Sequence, residues 1–126
     1  MSILNFSAEK KSEINPYLEA FLKDFSIEVM PRTAAKIESF KELLPKKTRV
    51  YIAHLEGTTI DEMIVTAKRL TLEGYNVMPH FPARIIENKH ILVDWINQYK
   101  NEAGVNEALL SAGGVDNPYG DFHCSM

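Results

Sequence analysis

Cysteine is almost absent from this chain, since Cys124 is the single one among 126 residues. One cysteine excludes a disulfide framework and a metal site built from several cysteines. Long apolar runs are lacking too, and none approaches the ~20 residues that a membrane-spanning helix needs. Residues 1–25 contain no basic segment leading into an apolar core, so no signal peptide is predicted. We therefore expect a cytoplasmic protein without a membrane partner.

An excess of charge of one sign is also missing. The 14 lysines and arginines stand against 17 aspartates and glutamates, and the net charge is -3. This balance does not predict binding to nucleic acid. No phosphate-binding loop or dinucleotide fingerprint is present, because the glycines of residues 111–120 lack the G-x-G-x-x-G spacing. His54, Glu56 and His80 lack the close spacing of metal ligands, so no metal site is predicted.

Helical periodicity is what the chain does have. Apolar residues recur on one face in residues 59–73 and 88–103, and more weakly in residues 33–44, which Pro45 ends. A shorter helix is predicted at residues 16–23, within an N-terminal extension of residues 1–24. The two strong segments have capping and stop signals: Thr59, Glu62 and Gly74 for the first, Asn88 and Gly104 for the second.

Short apolar runs alternate with these helices. They occupy residues 25–30, 49–55, 75–81 and 107–113, and each has the length of a strand. Strict alternation of strand and helix predicts an α/β fold with a parallel sheet. A complete (β/α)8 TIM-type barrel needs about 250 residues. We therefore expect residues 1–126 to be a single-domain fragment, the N-terminal half of such a barrel, with about four strands and three to four helices.

Unusual polar residues cluster where these strands end, and ligands of parallel α/β folds bind at the carboxyl ends of the strands. Structural explanations remain open for each. Glu28 is either a ligand-facing carboxylate or the partner of Arg32 or Arg84, and His80 either contacts a ligand or hydrogen-bonds a neighbouring strand. Solvated loop positions are favoured for His54 and Glu56. The candidates are Glu28, His54, Glu56, His80, Ser111, Gly113, Gly114 and Asp116; the last three also suit ordinary turns.

Four stretches, in order, carry a resemblance to a known family. They are SIEVMPR (26–32), RVYIAHLEG (49–57), VMPHFPAR (77–84) and GVNEALLSAGGVDNPYGDF (104–122). Together they resemble the N-terminal half of methylenetetrahydrofolate reductase. The resemblance implies a (β/α)8 barrel that binds FAD and uses NAD(P)H to reduce 5,10-methylenetetrahydrofolate to 5-methyltetrahydrofolate, in one-carbon and methionine metabolism.

The resemblance also implies roles for single residues. Glu28 matches the general acid that protonates the folate ring nitrogen as the five-membered ring opens. Such a carboxyl group should be partly desolvated, so that it keeps its proton near neutral pH. His80 matches a residue that lies against the flavin, and Gly114 and Asp116 are expected to contact flavin or substrate.

Two departures separate this chain from the family pattern. His54-Leu55 stands where the family has Thr-Tyr, and the aspartate of the family's Arg-Gly-Asp is displaced by about two positions to Asp116. The later strands that complete the site in the family are absent, so the 126 residues alone are expected to be inactive. The alternative function is a tetrahydrofolate-binding or structural half-barrel without redox activity, which would dimerise to close its sheet. A lyase or aldolase barrel is disfavoured because no lysine sits at a strand end.

Overall fold

A computed structural model describes residues 15–125 of the chain. The part of the predicted N-terminal extension that precedes Asn15 lies outside these residues. Helices and strands alternate as the sequence predicts, apart from a difference after the first strand. Their bounds are α1 Pro16–Leu22, β1 Ser26–Val29, α2 Pro31–Ala34, β2 Arg49–Ile52, α3 Ile60–Leu72, β3 Asn76–Pro82, α4 Lys89–Ala103 and β4 Leu109–Ser111.

The four strands form one parallel sheet in the order β1-β2-β3-β4. Register places Glu28 beside Tyr51, and Tyr51 beside Met78. His80 is paired with Leu109. The predicted α/β fold with a parallel sheet is confirmed. Three strands fall within the predicted runs, and β3 extends one residue beyond its run, to Pro82.

The two strong helices begin and end at the predicted signals. Thr59 accepts a hydrogen bond from the Glu62 amide at 3.2 Å, and the Glu62 carboxylate accepts one from the Thr59 amide at 2.8 Å. This is the predicted capping box of α3. The Asn88 side chain caps α4 by accepting from the Ile91 amide at 3.0 Å. Gly104, at φ 67°, ends α4 in the left-handed conformation that glycine adopts without strain.

The predicted helix over residues 33–44 is wrong. The chain instead forms the one-turn α2 and a 3-10 turn at Phe40–Glu42. The Ala34 carbonyl accepts from the Ile37 amide, three positions later, and also from the Arg69 guanidinium of α3, which donates to the carbonyl oxygens of Ile37 and Glu38 as well. Arg69 thus satisfies carbonyl oxygens that short turns leave without helical partners, and this stabilises the irregular segment in place of a longer helix.

One face of the sheet is covered by helices, and we call the other the open face. α3 packs on β2 and β3 and against α4. Alternate strand residues point into this layer and are almost fully buried, among them Val50, Ile52, Val77 and Phe81. The open face carries the residues between them, from Glu28 on β1 to Leu109 on β4. Within residues 15–125, no helix is long and apolar enough to cross a membrane.

Candidate functional site

Glu28 and His80 meet on the open face. Glu28 lies on β1 and His80 on β3, the two strands that flank β2. The His80 Nε2 lies 3.2 Å from the Glu28 Oε2. The orientation of the two groups does not make a hydrogen bond, so Nε2 is a buried polar atom with no hydrogen-bond partner in the described part of the chain. The two side chains differ in exposure, at 17% for His80 and 58% for Glu28. The pair therefore has one protected nitrogen and one carboxylate open to solvent or ligand.

The surroundings of this pair are aromatic and apolar. The Tyr51 ring meets the His80 ring edge to face, with centroids 6.3 Å apart. Register places Met78 beside Tyr51 and Leu109 beside His80 on the same face. Tyr51 and Met78 are half-buried, whereas Leu109 is 38% exposed. The open face thus offers a largely apolar floor with two polar groups on it.

These positions decide between the structural alternatives for Glu28 and His80. Neither Arg32 nor Arg84 forms an ion pair with Glu28 in the described residues, so the proposed arginine partners are wrong. His80 lies inside β3, two positions before its end at Pro82, rather than closing the strand as predicted. Its side chain makes no hydrogen bond to a neighbouring strand, which leaves Nε2 available.

His54 is buried, contrary to the prediction of a solvated loop position. The His54 side chain points into the helix layer, where its ring stacks on the Trp95 ring of α4 with centroids 5.0 Å apart. Nε2 lies 3.0 Å from the Thr58 carbonyl oxygen. A carbonyl only accepts, so Nε2 carries the proton and the unpartnered Nδ1 is the lone-pair nitrogen. Burial lowers the pKa of His54, the Thr58 hydrogen bond partly opposes this, and the nearby His80 lowers it further.

Glu56 has a partner that the sequence did not suggest. Its Oε1 accepts a hydrogen bond of 2.8 Å from the Tyr119 hydroxyl. This hydrogen bond raises the pKa of Tyr119, and slight burial and the Glu56 charge add to the shift. The contact joins the loop after β2 to the segment after β4. No local pattern in the sequence relates two residues so far apart.

Arg84 organises the segment after β4. Its guanidinium donates to the carbonyl oxygens of Val115 at 3.2 Å and His123 at 3.0 Å. Its backbone amide donates to Ala112 at 2.9 Å, and its carbonyl accepts from Tyr119 at 2.7 Å. Arg84, which the sequence suggests only as a partner of Glu28, instead holds the loop after β4 through these four hydrogen bonds.

Four of the candidate residues lie at or just after the end of β4: Ser111, Gly113, Gly114 and Asp116. Ser111 is its last residue, and Gly113 adopts φ 100° beside Pro82. Gly114 and Asp116 are exposed. Within residues 15–125, no hydrogen bond or ion pair joins either of them to Glu28 or His80. The structure thus brings together two of the four residues assigned to the site and leaves the other two on a neighbouring loop.

A search of the chain against protein-family models finds no match. Among the described residues, no group of three or more histidines, cysteines, aspartates or glutamates is arranged to hold a metal ion.

Proposed function

We propose that this chain forms half of a (β/α)8 barrel that acts as a flavin-dependent reductase of a folate one-carbon unit, as methylenetetrahydrofolate reductase does. One observation carries the proposal. Glu28 and His80, to which the resemblance assigns proton transfer and flavin contact, lie on the same open face with Nε2 and Oε2 3.2 Å apart. Their strands are not adjacent, so only the folded sheet brings them together.

The residues of the open face fit a planar aromatic group such as the flavin ring. Tyr51, Met78 and Leu109 provide apolar surface, and His80 Nε2 is a buried polar atom that makes no hydrogen bond among residues 15–125, although Glu28 Oε2 lies 3.2 Å away. Buried polar atoms are normally satisfied, so an unsatisfied one beside an open surface favours a ligand that reaches it. FAD, reduced by NAD(P)H, would supply the hydride when bound.

Glu28 would supply the proton. Its carboxyl group donates to the folate ring nitrogen, the bond from that nitrogen to the bridging carbon breaks, and the opened ring is left as an iminium ion ready for hydride. The resulting carboxylate lies beside His80. The Glu28 side chain is 58% exposed, so in this role a bound ligand or further protein would cover it and exclude water.

The half-barrel architecture is supported by the edges of the sheet. Within the described chain, β1 and β4 each pair with one neighbour, which leaves two parallel edges with unused hydrogen-bonding groups. Four further parallel strands between these edges would close an eight-stranded barrel and would enclose the open face. Glu28 and His80 would then face the barrel interior near its carboxyl rim.

The first test is to read the native open reading frame beyond the codon for Met126 and to purify the whole encoded polypeptide. Flavin absorption in the purified protein, and NAD(P)H-dependent reduction of methylenetetrahydrofolate, are the expected results. Glu28→Gln should abolish folate reduction yet leave flavin reduction by NAD(P)H intact, because the amide cannot donate the required proton. Glu102→Gln, an exposed position on α4, is the matched control. Equal folate reduction by wild type and Glu28→Gln would refute the role of Glu28.

The second candidate is a half-barrel that binds a folate without redox chemistry, closed by a second copy of itself. Gly114 and Asp116, which were expected to contact flavin or substrate, are exposed and make no hydrogen bond or ion pair with Glu28 or His80 in residues 15–125, and this favours the second candidate. Folate binding without bound flavin, in a dimer of the 126-residue chain, would support this candidate. Flavin bound in stoichiometric amount would exclude it.

A further inference from the structure

A cavity lies at the amino end of the sheet, away from its carboxyl rim. Its volume is about 590 Å³, and it lies where β1, β2 and β3 begin. Lys46, Lys47 and Arg49 line it, together with a single carboxylate, Asp24, and an apolar wall that includes Leu22 and Phe25. It shares no lining residue with the Glu28–His80 site, so a ligand bound in this cavity would not depend on the proposed reductase function.

Two equivalent turns form the rim of this cavity. In one, the Phe25 amide donates to the Leu22 carbonyl, and in the other the Thr48 amide donates to the Pro45 carbonyl. The third residue of each turn is left-handed, with φ 57° at Asp24 and φ 62° at Lys47. They are the only residues other than glycine with positive φ in the described part of the chain. Turns of this geometry normally have glycine or asparagine at that position.

The turn before β3 has a glycine at the equivalent position, where Asp24 and Lys47 have side chains. Ser26, Arg49 and Asn76 are in register, so Asp24, Lys47 and Gly74 occupy the same position two residues before each. Gly74 uses glycine at φ 97°. The left-handed conformation is unfavourable for a residue with a side chain, least so for aspartate and more so for lysine. Strained residues tend to occur where a side chain has a function, and Lys47 places a charge in the cavity at such a position.

The lysine turn is held rigidly. The Asn76 side chain donates to the Lys47 carbonyl at 3.1 Å, and the Thr48 hydroxyl donates to the Pro45 carbonyl at 2.8 Å. The side chains of Lys46, Lys47 and Arg49 have no ion-pair or hydrogen-bond partner in residues 15–125. Three unpaired cations thus surround one cavity in a protein whose net charge is -3. Positive charge concentrated against the overall charge of a protein attracts anions.

We propose that this cavity binds a small doubly charged organic anion, a phosphate monoester or a dicarboxylate, through Lys46, Lys47 and Arg49. The guanidinium of Arg49 suits the planar or tetrahedral oxygens of such a group, and the two lysines add point charges. Phe25 and Leu22 would contact the carbon part of the ligand. Asp24 repels the anionic group itself, so it favours a ligand with a hydroxyl that donates to it.

The test is a titration of the 126-residue chain, labelled with nitrogen-15, with inorganic phosphate, glycerol 3-phosphate and succinate at an ionic strength held constant with sodium chloride. We expect saturable shifts of the Lys47 and Thr48 amides and of the Asn76 side-chain amide. Saturation by the two phosphates alone identifies a phosphate site, and saturation by succinate alone identifies a dicarboxylate site. Shifts that stay linear and equal for all three anions would overturn the proposal.

Variants separate binding from folding. Arg49→Gln should remove saturable binding, and Asp24→Asn should tighten it. Lys47→Gly should weaken binding at least several-fold while raising the midpoint of thermal unfolding, because glycine relieves the strain of the turn. Lys68→Gln, an exposed position on α3, is the control and should bind as wild type does. Unchanged binding by Lys47→Gly and Arg49→Gln, or an equal loss in Lys68→Gln, would refute the site.

Discussion

The strongest test of the fold is the replacement of Arg69 by methionine. The Arg69 side chain extends from α3 to the segment between β1 and β2, where it donates to three carbonyl oxygens. It also donates to the carboxylate of Glu73, at the end of α3, at 2.9 Å. Its guanidinium carbon also lies 5.2 Å from the centre of the Phe40 ring. Glu73 in turn accepts from the Phe40 amide at 3.1 Å. Methionine keeps the apolar stem of the side chain and removes every donor.

The expected loss of stability follows from these contacts. A hydrogen bond to a charged group contributes about 1.5–3 kcal/mol, and an acceptor left buried without a donor costs about 1–3 kcal/mol. Arg69 is only partly buried, with 31% of its side chain exposed, so water replaces some of the lost donors. The contacts also share one side chain and are not additive. We therefore expect Arg69→Met to lower the free energy of unfolding by about 3 kcal/mol, which is roughly 10 °C in Tm for a chain of this size.

Urea unfolding followed by far-UV circular dichroism measures this loss. Arg69→Lys should fall between wild type and Arg69→Met, because an ammonium group keeps the charge but does not span three carbonyls. Lys68→Met, the adjacent exposed position, should stay within about 0.5 kcal/mol of wild type. A similarly small change for Arg69→Met would contradict the conclusion that Arg69 stabilises the segment between β1 and β2.

Three further changes test other parts of the structure. Thr59→Ala removes the cap of α3 and should lower the free energy of unfolding by about 1 kcal/mol in urea denaturation. Gly120→Ala would drive a methyl group into the Glu87 carbonyl and should make the C-terminal segment sensitive to limited proteolysis, whereas Gly114→Ala, with open space around it, should not. His54 binds a proton more readily in the unfolded chain, since its folded pKa lies below 6.5, so stability should fall as the pH is lowered through and below 6.5. His54→Phe should reduce that fall, measured by the fluorescence of the single tryptophan, Trp95, during urea unfolding.

Features set by neighbouring residues were predictable from the sequence. The ends of α3 and α4 coincide with their capping signals because a cap is made within one turn of the chain. The four strands were predictable because short apolar runs alternated with these helices. The segment between β1 and β2 was not, because its backbone partners belong to Arg69 and Glu73, more than thirty positions later in the sequence.

The site divides in the same way. That polar residues at the ends of parallel strands converge follows from the topology, which placed Glu28 and His80 among eight candidates on one rim; the resemblance singled out these two. Their separation of 3.2 Å depends on register and on side chains crossing β2, which the sequence does not specify. His54 was misplaced because alternation along β2 continues past its last residue, and this directs the ring to Trp95 in the helix layer.

The loop after β4 contains Asp116, one of the residues assigned to the proposed site. Arg84 holds the backbone on both sides of Asp116, at Val115 and at His123, and the Tyr119 hydroxyl ties the same loop to Glu56. Asp116 therefore lies in an anchored loop rather than in a free tail. If Asp116 contacts a ligand, it does so from this fixed place.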